Sequence, residues 1–352
     1  MKIAQVAPLY ESVPPKLYGG TERVVAYLTD ELVNLGHDVT LFASGDSGTK
    51  ARLIGISPHA LRLHNHLDPL AYHILQLQEV FERVNEFDIL HFHTDYLHFP
   101  FSHNNNLTTI TTLHGRLDID DLKPIYKKFS HMPVVSISDA QRTPLPTANW
   151  IGTVYHGLPA NLYKKGDGKG GYVTFIGRIS PEKRADRAIE IARQAGLKIK
   201  IAAKIDRADE VYFQTEIRHL FKLPHVEYLG EIGESDKAEL LGGAVAMLFP
   251  IDWKEPFGMV TIESLACGTP VIAYNRGSVS EIVTHGKTGY IVEDIVQAVD
   301  ALRQINQISR EECRASFEKR FTATTMAKNY LRLYDKLITA HKKELPALSM
   351  NE

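Results

Sequence analysis

The sequence predicts an α/β fold with two successive doubly wound domains, each built on a parallel sheet. The chain has 352 residues, more than one hydrophobic core usually holds. Strand-like and helix-like segments alternate along most of it, as in parallel sheets joined by crossover helices. The Lys- and Gly-rich stretch KKGDGKGG at 164–171 interrupts this alternation, and we interpret it as a domain boundary. The expected domains are 1–160 and 161–322.

The first series begins with KIAQVAP, a short buried strand that ends in a long loop. TERVVAYLTDELVNLG follows as an amphipathic helix, with Thr21 as its candidate N-cap and Gly36 at its end. A second, longer helix is predicted from DPLAYHILQLQEVFERVNEF. The remaining strands of this domain are predicted from HDVTLFA, DILHFH, LTTITTLHG, MPVVSIS and IGTVYHG.

The second series repeats this architecture after residue 171. Its strands are predicted from YVTFIG, LKIKIAA, VEYLG, VAMLFP and PVIAY, and its first two helices from PEKRADRAIEIARQAG and DEVYFQTEIRHLFK. The tail from Thr322 to Lys343 has a helical apolar stripe that needs a surface to cover. Its members are Met326, Tyr330, Leu333 and Leu337.

Composition and charge exclude several classes of protein. Hydrophobic residues make up 44% and charged residues 23%, and the formal charge of −2 argues against a dedicated nucleic-acid binder. No apolar stretch approaches the roughly 18 residues that span a bilayer, so the expected location is cytoplasmic. Two cysteines, Cys267 and Cys313, form neither a disulfide framework nor a cysteine-based zinc site. We expect a small, buried packing role for Cys267.

The strongest functional signal is EPFGMVTIE at 255–263, between a buried strand and a helix that should start near Gly258 or Met259. Free N–H groups at a helix start suit a phosphate or a sugar oxygen, and Gly258 allows close approach. Glu255 before this start and Glu263 within the helix could accept hydrogen bonds from vicinal hydroxyls. For either residue alone, an acid favoured by the helix dipole is the simpler explanation.

The second signal is GRISPEKR at 177–184, directly after a strand. Arg178 and Lys183 would lie beside a helix start, with Pro181 in its first turn. Dipole and charge together would favour an anion there. The alternative is two solvated surface cations.

Two weaker signals lie in the first domain. Gly19 and Gly20 precede a helix and would let the backbone approach a diphosphate, although loop flexibility explains the pair as well. The dinucleotide fingerprint GxGxxG is absent. His114 ends a strand, where the cleft of an open parallel sheet lies, but such a histidine is more often structural.

The segment HFHTDYLHFPFSH at 91–103 contains four histidines. Its spacing matches no known ligand pattern, and strand alternation points His91 and His93 to one face, so we predict no metal site. A role for His93, Asp95 or Tyr96 in lining an acceptor pocket is the favoured interpretation. The acids of LDIDD at 117–121 are interpreted as helix-start acids, and KPIYKKFSH at 123–131 as a solvated basic face.

Taken in order, YGGTE, TLHG, GRISPEKR and EPFGMVTIESLACGTPVIA, followed by GSVSEIV and GKTGYIV, resemble the family-four retaining glycosyltransferases. The resemblance covers nearly the whole chain. It implies the GT-B fold, in which two Rossmann-like domains face a central cleft. It also implies that the tail helix, 323–352, returns to complete the first domain on the acceptor side.

The resemblance assigns a role to each motif. It implies that Glu263 binds the ribose, Glu255 the transferred sugar, and Arg178 with Lys183 the diphosphate. His114 would lie by the reaction centre, on the sugar's 6-hydroxyl. The remaining donor contacts would come from Gly19, Gly20, Phe257, Gly258 and Met259, with the base near Gly230 and Glu231.

The implied activity is transfer of a hexose from a nucleotide diphosphate sugar, with UDP favoured, to the hydroxyl of a small molecule, a glycan or a lipid-linked sugar. The donor is a substrate, and neither a cofactor nor a metal is expected. The helix TERVVAYLTDELVNLG is acidic, so we expect no peripheral membrane contact. The alternatives are a nucleotide-sugar epimerase or hydrolase and a non-catalytic sugar-nucleotide-binding protein. A nicotinamide oxidoreductase is disfavoured by the missing glycine fingerprint.

Overall fold

The structure is a computed structural model that describes residues 1–16, 19–62, 68–103 and 107–348, with the backbone alone for 344–348. The chain divides into two compact units. Unit 1 contains Met1–Gly157 and Ala323–Glu352, and unit 2 contains Leu158–Thr322. The boundary that the sequence predicts is 160/161.

The sheet of unit 1 is parallel throughout, and its seven described strands lie in the order β3-β2-β1-β4-β5-β6-β7. These strands are β1 (Lys2–Val6), β2 (Asp38–Ala43), β3 (Arg52–Gly55), β4 (Ile89–Phe92), β5 (Thr109–Thr112), β6 (Pro133–Ser136) and β7 (Asn149–Thr153). The helices of this part are α1 (Gly20–Asn34), α2 (Pro69–Glu82), α3 (Phe99–Ser102), α4 (Leu122–Lys128) and α5 (Asp139–Arg142). A 3₁₀ turn, Val84–Glu86, follows α2. The edge strand β3 was not predicted.

Alternating side chains of β1 and β2 pack on opposite faces of this sheet. Ala4 and Phe42 pack with α2 residues such as Leu77, whereas Leu41 packs with Val25 of α1. Both faces are therefore covered, which explains the nearly continuous apolar sequence of the inner strands.

The sheet of unit 2 is also parallel, with its six strands in the order β10-β9-β8-β11-β12-β13. The strands are β8 (Tyr172–Arg178), β9 (Lys198–Lys204), β10 (Val226–Gly230), β11 (Ala246–Phe249), β12 (Val271–Tyr274) and β13 (Gly289–Val292). The helices are α6 (Ala185–Gln194), α7 (Glu210–Tyr212), α8 (Glu234–Gly243), α9 (Met259–Ala266), α10 (Val279–Ile282), α11 (Ile295–Arg303) and α12 (Arg310–Arg320). Single 3₁₀ or π turns cover Arg207–Asp209, Phe213–Ile217, Leu220–Lys222 and Ile305–Gln307.

The tail forms helix α13 (Ala323–Leu348) and belongs to unit 1. Of the predicted apolar stripe, Met326 and Tyr330 are buried, whereas Leu333 and Leu337 are half-buried. Tyr334 of the same helix is also buried, and α13 packs against α1. Residues 349–352 of the predicted tail helix lie outside the described residues.

Three local predictions were wrong. Helix α1 begins at Gly20, with Gly19 as its N-cap, so Thr21 lies inside the first turn and does not cap it. Pro181 lies in a turn, because α6 begins at Ala185, after Arg184 adopts a left-handed conformation with φ 57°. The loop 164–171 lies inside unit 2, where its glycine amides donate to carbonyls of Gly242, Gly243 and Cys267.

Candidate active site

Each sheet has one point at which the strand order reverses its direction, and most of the candidate residues follow the strands beside these two points. In unit 2 the chain winds outward from β8 to β10 on one side and from β11 to β13 on the other, so the switch point lies between β8 and β11. These two strands pair only at Val173–Ala246 and Thr174–Met247. Beyond that pairing, β8 runs on to Arg178. Ligands of open α/β sheets bind outside the carboxyl ends of strands at such a switch point.

The segments that follow β8 and β11 meet in an ion pair between Lys183 and Glu255. Both side chains are largely buried, with 18% and 10% of their area exposed. The indole Nε1 of Trp253 donates to the same Glu255 oxygen, Oε2, at 3.0 Å. The Lys183 ammonium also lies 4.9 Å from the centre of the Trp253 ring and 5.8 Å from that of Phe249, which adds cation–π attraction.

The backbone of Glu255 is held as firmly as its side chain. Its amide donates to the carbonyl of Trp253 at 2.9 Å, and its carbonyl accepts from the amide of Ser278 at 3.0 Å. Gly277 makes this approach possible, because a Cβ atom there would lie 2.3 Å from the Glu255 carbonyl oxygen. The carboxylate is thus fixed from two sides.

Helix α9 starts where the sequence predicts, with Gly258 as its N-cap in a left-handed conformation of φ 80°. A Cβ on Gly258 would lie 3.2 Å from Phe249 and 3.4 Å from the Glu255 side chain, so glycine is required by both conformation and space. Phe257 is buried, and its carbonyl accepts from Ser278 Oγ at 2.8 Å. The amide groups of 257–259 therefore lie at a rigid helix start, the position that suits an anion.

Glu263 lies inside α9 and is buried. Its carboxylate accepts from the Lys237 ammonium of α8 at 2.9 Å, and Lys237 also lies 3.6 Å from Glu234. Tyr163 donates to Glu234 in turn. These contacts orient the Glu263 carboxylate but do not connect it to Glu255.

Arg178 ends β8, and its described ion pairs are with carboxylates other than Glu255, the partner of Lys183. Its guanidinium pairs with Glu182, with Asp209 at 3.2 Å and with Asp206 at 3.9 Å. Burial raises the pKa of Asp209. Three carboxylates thus lie beside Arg178, and a phosphate bound there would compete with them for the guanidinium.

Gly230 and Glu231 follow the edge strand β10. Gly230 has a φ of 71° and lies at a register shift against β9, which turns the chain as it leaves the sheet. Glu231 is exposed. No described contact joins either residue to Glu255 or Glu263.

In unit 1 the switch point lies between β1 and β4. Gly19 and Gly20 follow β1, and the close approach at Gly19 is to the protein itself. A Cβ there would lie 2.8 Å from Pro15 and 3.2 Å from the carboxylate of Glu22. Burial raises the pKa of Glu22. Gly20, in contrast, has open space.

His114 follows β5, one strand further along, and is half-buried. Its Nε2 lies 2.8 Å from Nδ1 of His93, and its ring stacks on that of His156 at 5.2 Å and 17°. Gln141 holds the surrounding loop by donating to the carbonyls of Leu113 and Gly115 at 2.9 and 2.8 Å. Burial lowers the pKa of His114 to about 3, so the ring is neutral.

The other histidines of 91–103 are held by hydrogen bonds and ring contacts. His91 and His93 do face the same side, with ring centres 4.1 Å apart. His93 is buried and bonded through both nitrogens, so the expectation that it lines an acceptor pocket was wrong. His98 bonds Ser102 and Thr111 through its two nitrogens, at 2.7 and 2.6 Å. Asp95 is exposed and has a φ of 51°, a conformation that non-glycine residues rarely adopt.

Sequence reasoning missed Trp253, Lys237 and Gln5. Trp253 had a usable signal, because it lies two residues before Glu255 in the same loop. Lys237 lies 26 positions from its partner Glu263, and no local pattern marks it. Cys267 is buried as predicted.

Comparison with known proteins shows two matching family models. A model described as Glycosyl transferases group 1 matches residues 164–326, and one described as Glycosyltransferase Family 4 matches residues 18–144. An uncharacterized glycosyltransferase of Methanocaldococcus jannaschii is 24% identical over 339 residues, which cover 82% of this chain and 84% of that protein.

Solved structures of glycosyltransferases share the architecture. AviGT4, a glycosyltransferase involved in avilamycin A biosynthesis, is 24% identical, with a TM-score of 0.72 over 96% of this chain and 98% of its own. Anabaena HepE in complex with UDP and glucose is 17% identical, with a TM-score of 0.75 over 95% and 99%. In the part of the chain that the structure describes, no helix is long and apolar enough to cross a membrane. The two family models, which together span most of both units, and these shared folds show that the chain is a GT-B protein and belongs to the family-four, group 1 glycosyltransferases.

Proposed function

We propose that this glycosyltransferase moves a hexose from a UDP-sugar to an acceptor hydroxyl, with retention of the anomeric configuration and without a metal ion. The observation that carries the proposal is the buried pair of Lys183 and Glu255 beside the start of α9. It places a cation, a carboxylate and a helix N-terminus at one switch point. A sugar diphosphate presents the matching groups: hydroxyls for the carboxylate and negative charge for the cation and the helix. HepE, a protein of the same fold, binds UDP and glucose.

In this proposal the bond from the anomeric carbon to the diphosphate oxygen breaks largely before the new bond forms. The negative charge that develops on the departing diphosphate is stabilised by Lys183, by Arg178 and by the amides of 257–259. The acceptor hydroxyl attacks from the same face, and its proton passes to the leaving phosphate. Glu255 holds sugar hydroxyls, Glu263 holds the ribose, and His114 contacts the transferred sugar.

The electrostatics of the two cations differ. Among the residues that the structure describes, Lys183 pairs with one carboxylate, that of Glu255, which is itself proposed to bind the sugar. A phosphate at Arg178 would compete with three carboxylates. Binding of the diphosphate therefore costs less desolvation and rearrangement at Lys183, and we assign it the larger share of the leaving-group stabilisation.

The first experiment is a thermal-shift screen with UDP-, GDP- and ADP-sugars, since a specific donor stabilises the native state. Transfer is then measured as donor consumed with and without a panel of acceptors, in buffer containing EDTA. Product NMR gives the anomeric configuration. Consumption without an acceptor would indicate the epimerase or hydrolase, and tight binding without turnover would indicate a non-catalytic binding protein.

The second experiment tests the assigned residues. Lys183→Ala should lower kcat by about 100- to 1000-fold, the usual cost of removing one group that stabilises transition-state charge, and Arg178→Ala by less. Lys165→Ala is the matched control, because it removes a lysine that is paired with Glu311 elsewhere in unit 2. Near-native turnover of both Lys183→Ala and Arg178→Ala would refute the electrostatic account.

A further inference from the structure

A buried chain of hydrogen bonds ends at His114. Its inner part, here called the relay, consists of Gln5, His93 and His114. Gln5 lies in β1 with no exposed surface, and its side-chain oxygen lies 2.8 Å from Nε2 of His93. Nδ1 of His93 lies 2.8 Å from Nε2 of His114. Beyond Gln5, the chain continues to Tyr334 of α13.

The direction of each hydrogen bond follows from the Gln5 amide. Its nitrogen donates to the Tyr334 hydroxyl at 3.1 Å, so its oxygen faces His93 and can only accept. His93 must then carry its proton on Nε2, which leaves Nδ1 as an acceptor. The facing nitrogen of His114, Nε2, must therefore be the donor, and His114 carries its proton there.

This assignment requires neutral rings, and the surroundings supply that condition. Burial holds the pKa of His93 well below its ordinary value, with the neighbouring histidines adding to the effect. A neutral imidazole has one proton, so the protonated Nε2 of His114 leaves Nδ1 with a bare lone pair. That atom is buried and has no hydrogen-bond partner within the described structure.

A buried polar atom without a partner costs free energy. Here the relay makes that atom an acceptor, which a hydroxyl or amine donor satisfies and a carbonyl or phosphate oxygen does not. Sugar hydroxyls are donors of this kind. The stacking of His114 on His156 fixes the plane in which the lone pair points.

We propose that His93 and Gln5 are positioning residues that lock His114 in its Nε2-protonated form, so that Nδ1 accepts a hydrogen bond from a hydroxyl of the transferred sugar. This inference rests on the proposed function, because it assumes that His114 contacts the sugar. It goes beyond that function by assigning a tautomer, a donor–acceptor direction and two buried residues that themselves touch no substrate.

The tautomer is measured directly by long-range ¹H–¹⁵N NMR on the full chain labelled at histidine, with His114 assigned by its loss in His114→Gln. We expect an unprotonated Nδ1 and a protonated Nε2. His93→Phe removes the acceptor for Nε2 and should convert this single form into a mixture. It should also lower kcat/KM with the sugar nucleotide by about 10- to 100-fold, the usual effect of a misplaced contact group, and leave the affinity for UDP unchanged.

Two further variants separate positioning from folding. His93→Asn, whose side-chain oxygen can take the place of Nδ1, should recover part of the lost kcat/KM. Tyr330→Phe removes a buried hydrogen bond to Thr112 of 2.8 Å, outside the relay, and should change neither the tautomer nor kcat/KM. If His93→Phe does not fold, Gln5→Leu tests the same link one residue earlier.

A native His114 protonated on Nδ1 would overturn the proposal, and so would unchanged kcat/KM in folded His93→Phe. The NMR measurement needs no substrate. If the protein transferred no sugar, the proposed function would be refuted, but the NMR measurement would still show which nitrogen of His114 carries the proton.

Discussion

Acidification should unfold unit 1 at a pH that unit 2 tolerates. Among the described residues of unit 1, five histidines are buried with lowered pKa values, including His73. The pKa is lowered furthest at the other four: His91, His93, His98 and His156. Desolvation is the main cause in each case, and it lowers the pKa of His98 to about 3. Unit 2, all of whose residues are described, buries no histidine.

The sign follows from proton linkage. Between the unfolded pKa of about 6.5 and the lower folded pKa, the unfolded chain binds more protons, so stability falls as the pH falls. At pH 5.5, each ring that stays neutral in the folded protein lowers the free energy of unfolding by about 1.4 kcal/mol, which gives about 6 kcal/mol for these four rings. The free energy of unfolding of a domain is about 5–15 kcal/mol, so unit 1 should lose a large part of its stability.

The two tryptophans, Trp150 and Trp253, allow the units to be followed separately. Trp150 lies in unit 1 and Trp253 in unit 2, so Trp253→Phe leaves a reporter for unit 1 and Trp150→Phe one for unit 2. Urea unfolding followed by fluorescence at pH 7.5, 6.5 and 5.5 should show the unit 1 midpoint falling steeply. A unit 1 midpoint that moves no more than that of unit 2 would refute the reasoning.

A single substitution tests the count of protons. His98→Gln removes one titrating ring and the hydrogen bonds to Ser102 and Thr111. It should destabilise unit 1 at pH 7.5, yet the dependence of its stability on pH below 6.5 should weaken by about one proton, or about 1.4 kcal/mol per pH unit. An unchanged slope would mean that His98 also titrates in the folded protein.

Three further outcomes are expected. Arg310→Met should destabilise unit 2 by about 3 kcal/mol in urea unfolding, because its guanidinium donates to four carbonyls and one hydroxyl; a loss under about 1 kcal/mol would contradict this. Glu22→Gln should raise the melting temperature at pH 7 but not below pH 4.5. Burial raises the pKa of Glu22 above 4.5, so ionisation of the buried carboxyl lowers stability at neutral pH. An equal gain at both pH values would contradict this explanation. Gly277→Ala should lower donor turnover more than stability, because the new Cβ would displace the Glu255 backbone; unchanged donor KM and kcat would show that the loop adapts.

Most of the fold could be predicted from hydrophobic alternation. The inner strands are nearly continuous apolar runs, as in AMLF of β11 and VIAY of β12, and such runs are recognisable without context. Predictions failed at the ends of helices and at the edge of the unit 1 sheet. RLIG of β3 has no fully buried residue, so it lacks the continuous apolar run of the inner strands. The N-cap of α1 is Gly19, which has no side chain that could mark the start of the helix.

The candidate site was predictable where its residues are neighbours in sequence. To place Glu255, Gly258 and Glu263 around the start of α9, it was enough to recognise one strand and one helix in the sequence. Pairing across segments was not predictable in the same way. Lys183 meets Glu255 from 72 positions away, and the pair becomes visible only once β8 and β11 are known to be neighbours.

The relay shows most clearly which contacts could not be predicted from the sequence. Gln5, His93 and Tyr334 are joined by contacts that span 88 and 329 positions of the chain, so no window of sequence contains them. His91 and His93 carried a signal in their spacing, since alternate residues of a strand share a face, but that signal indicates proximity and not chemistry. A histidine pair on one face fits a metal site, an acceptor pocket or a buried network equally well. The buried amide of Gln5, which can donate on one side and accept on the other, decides between them, and its partners are fixed only by the packing of α13 on the sheet.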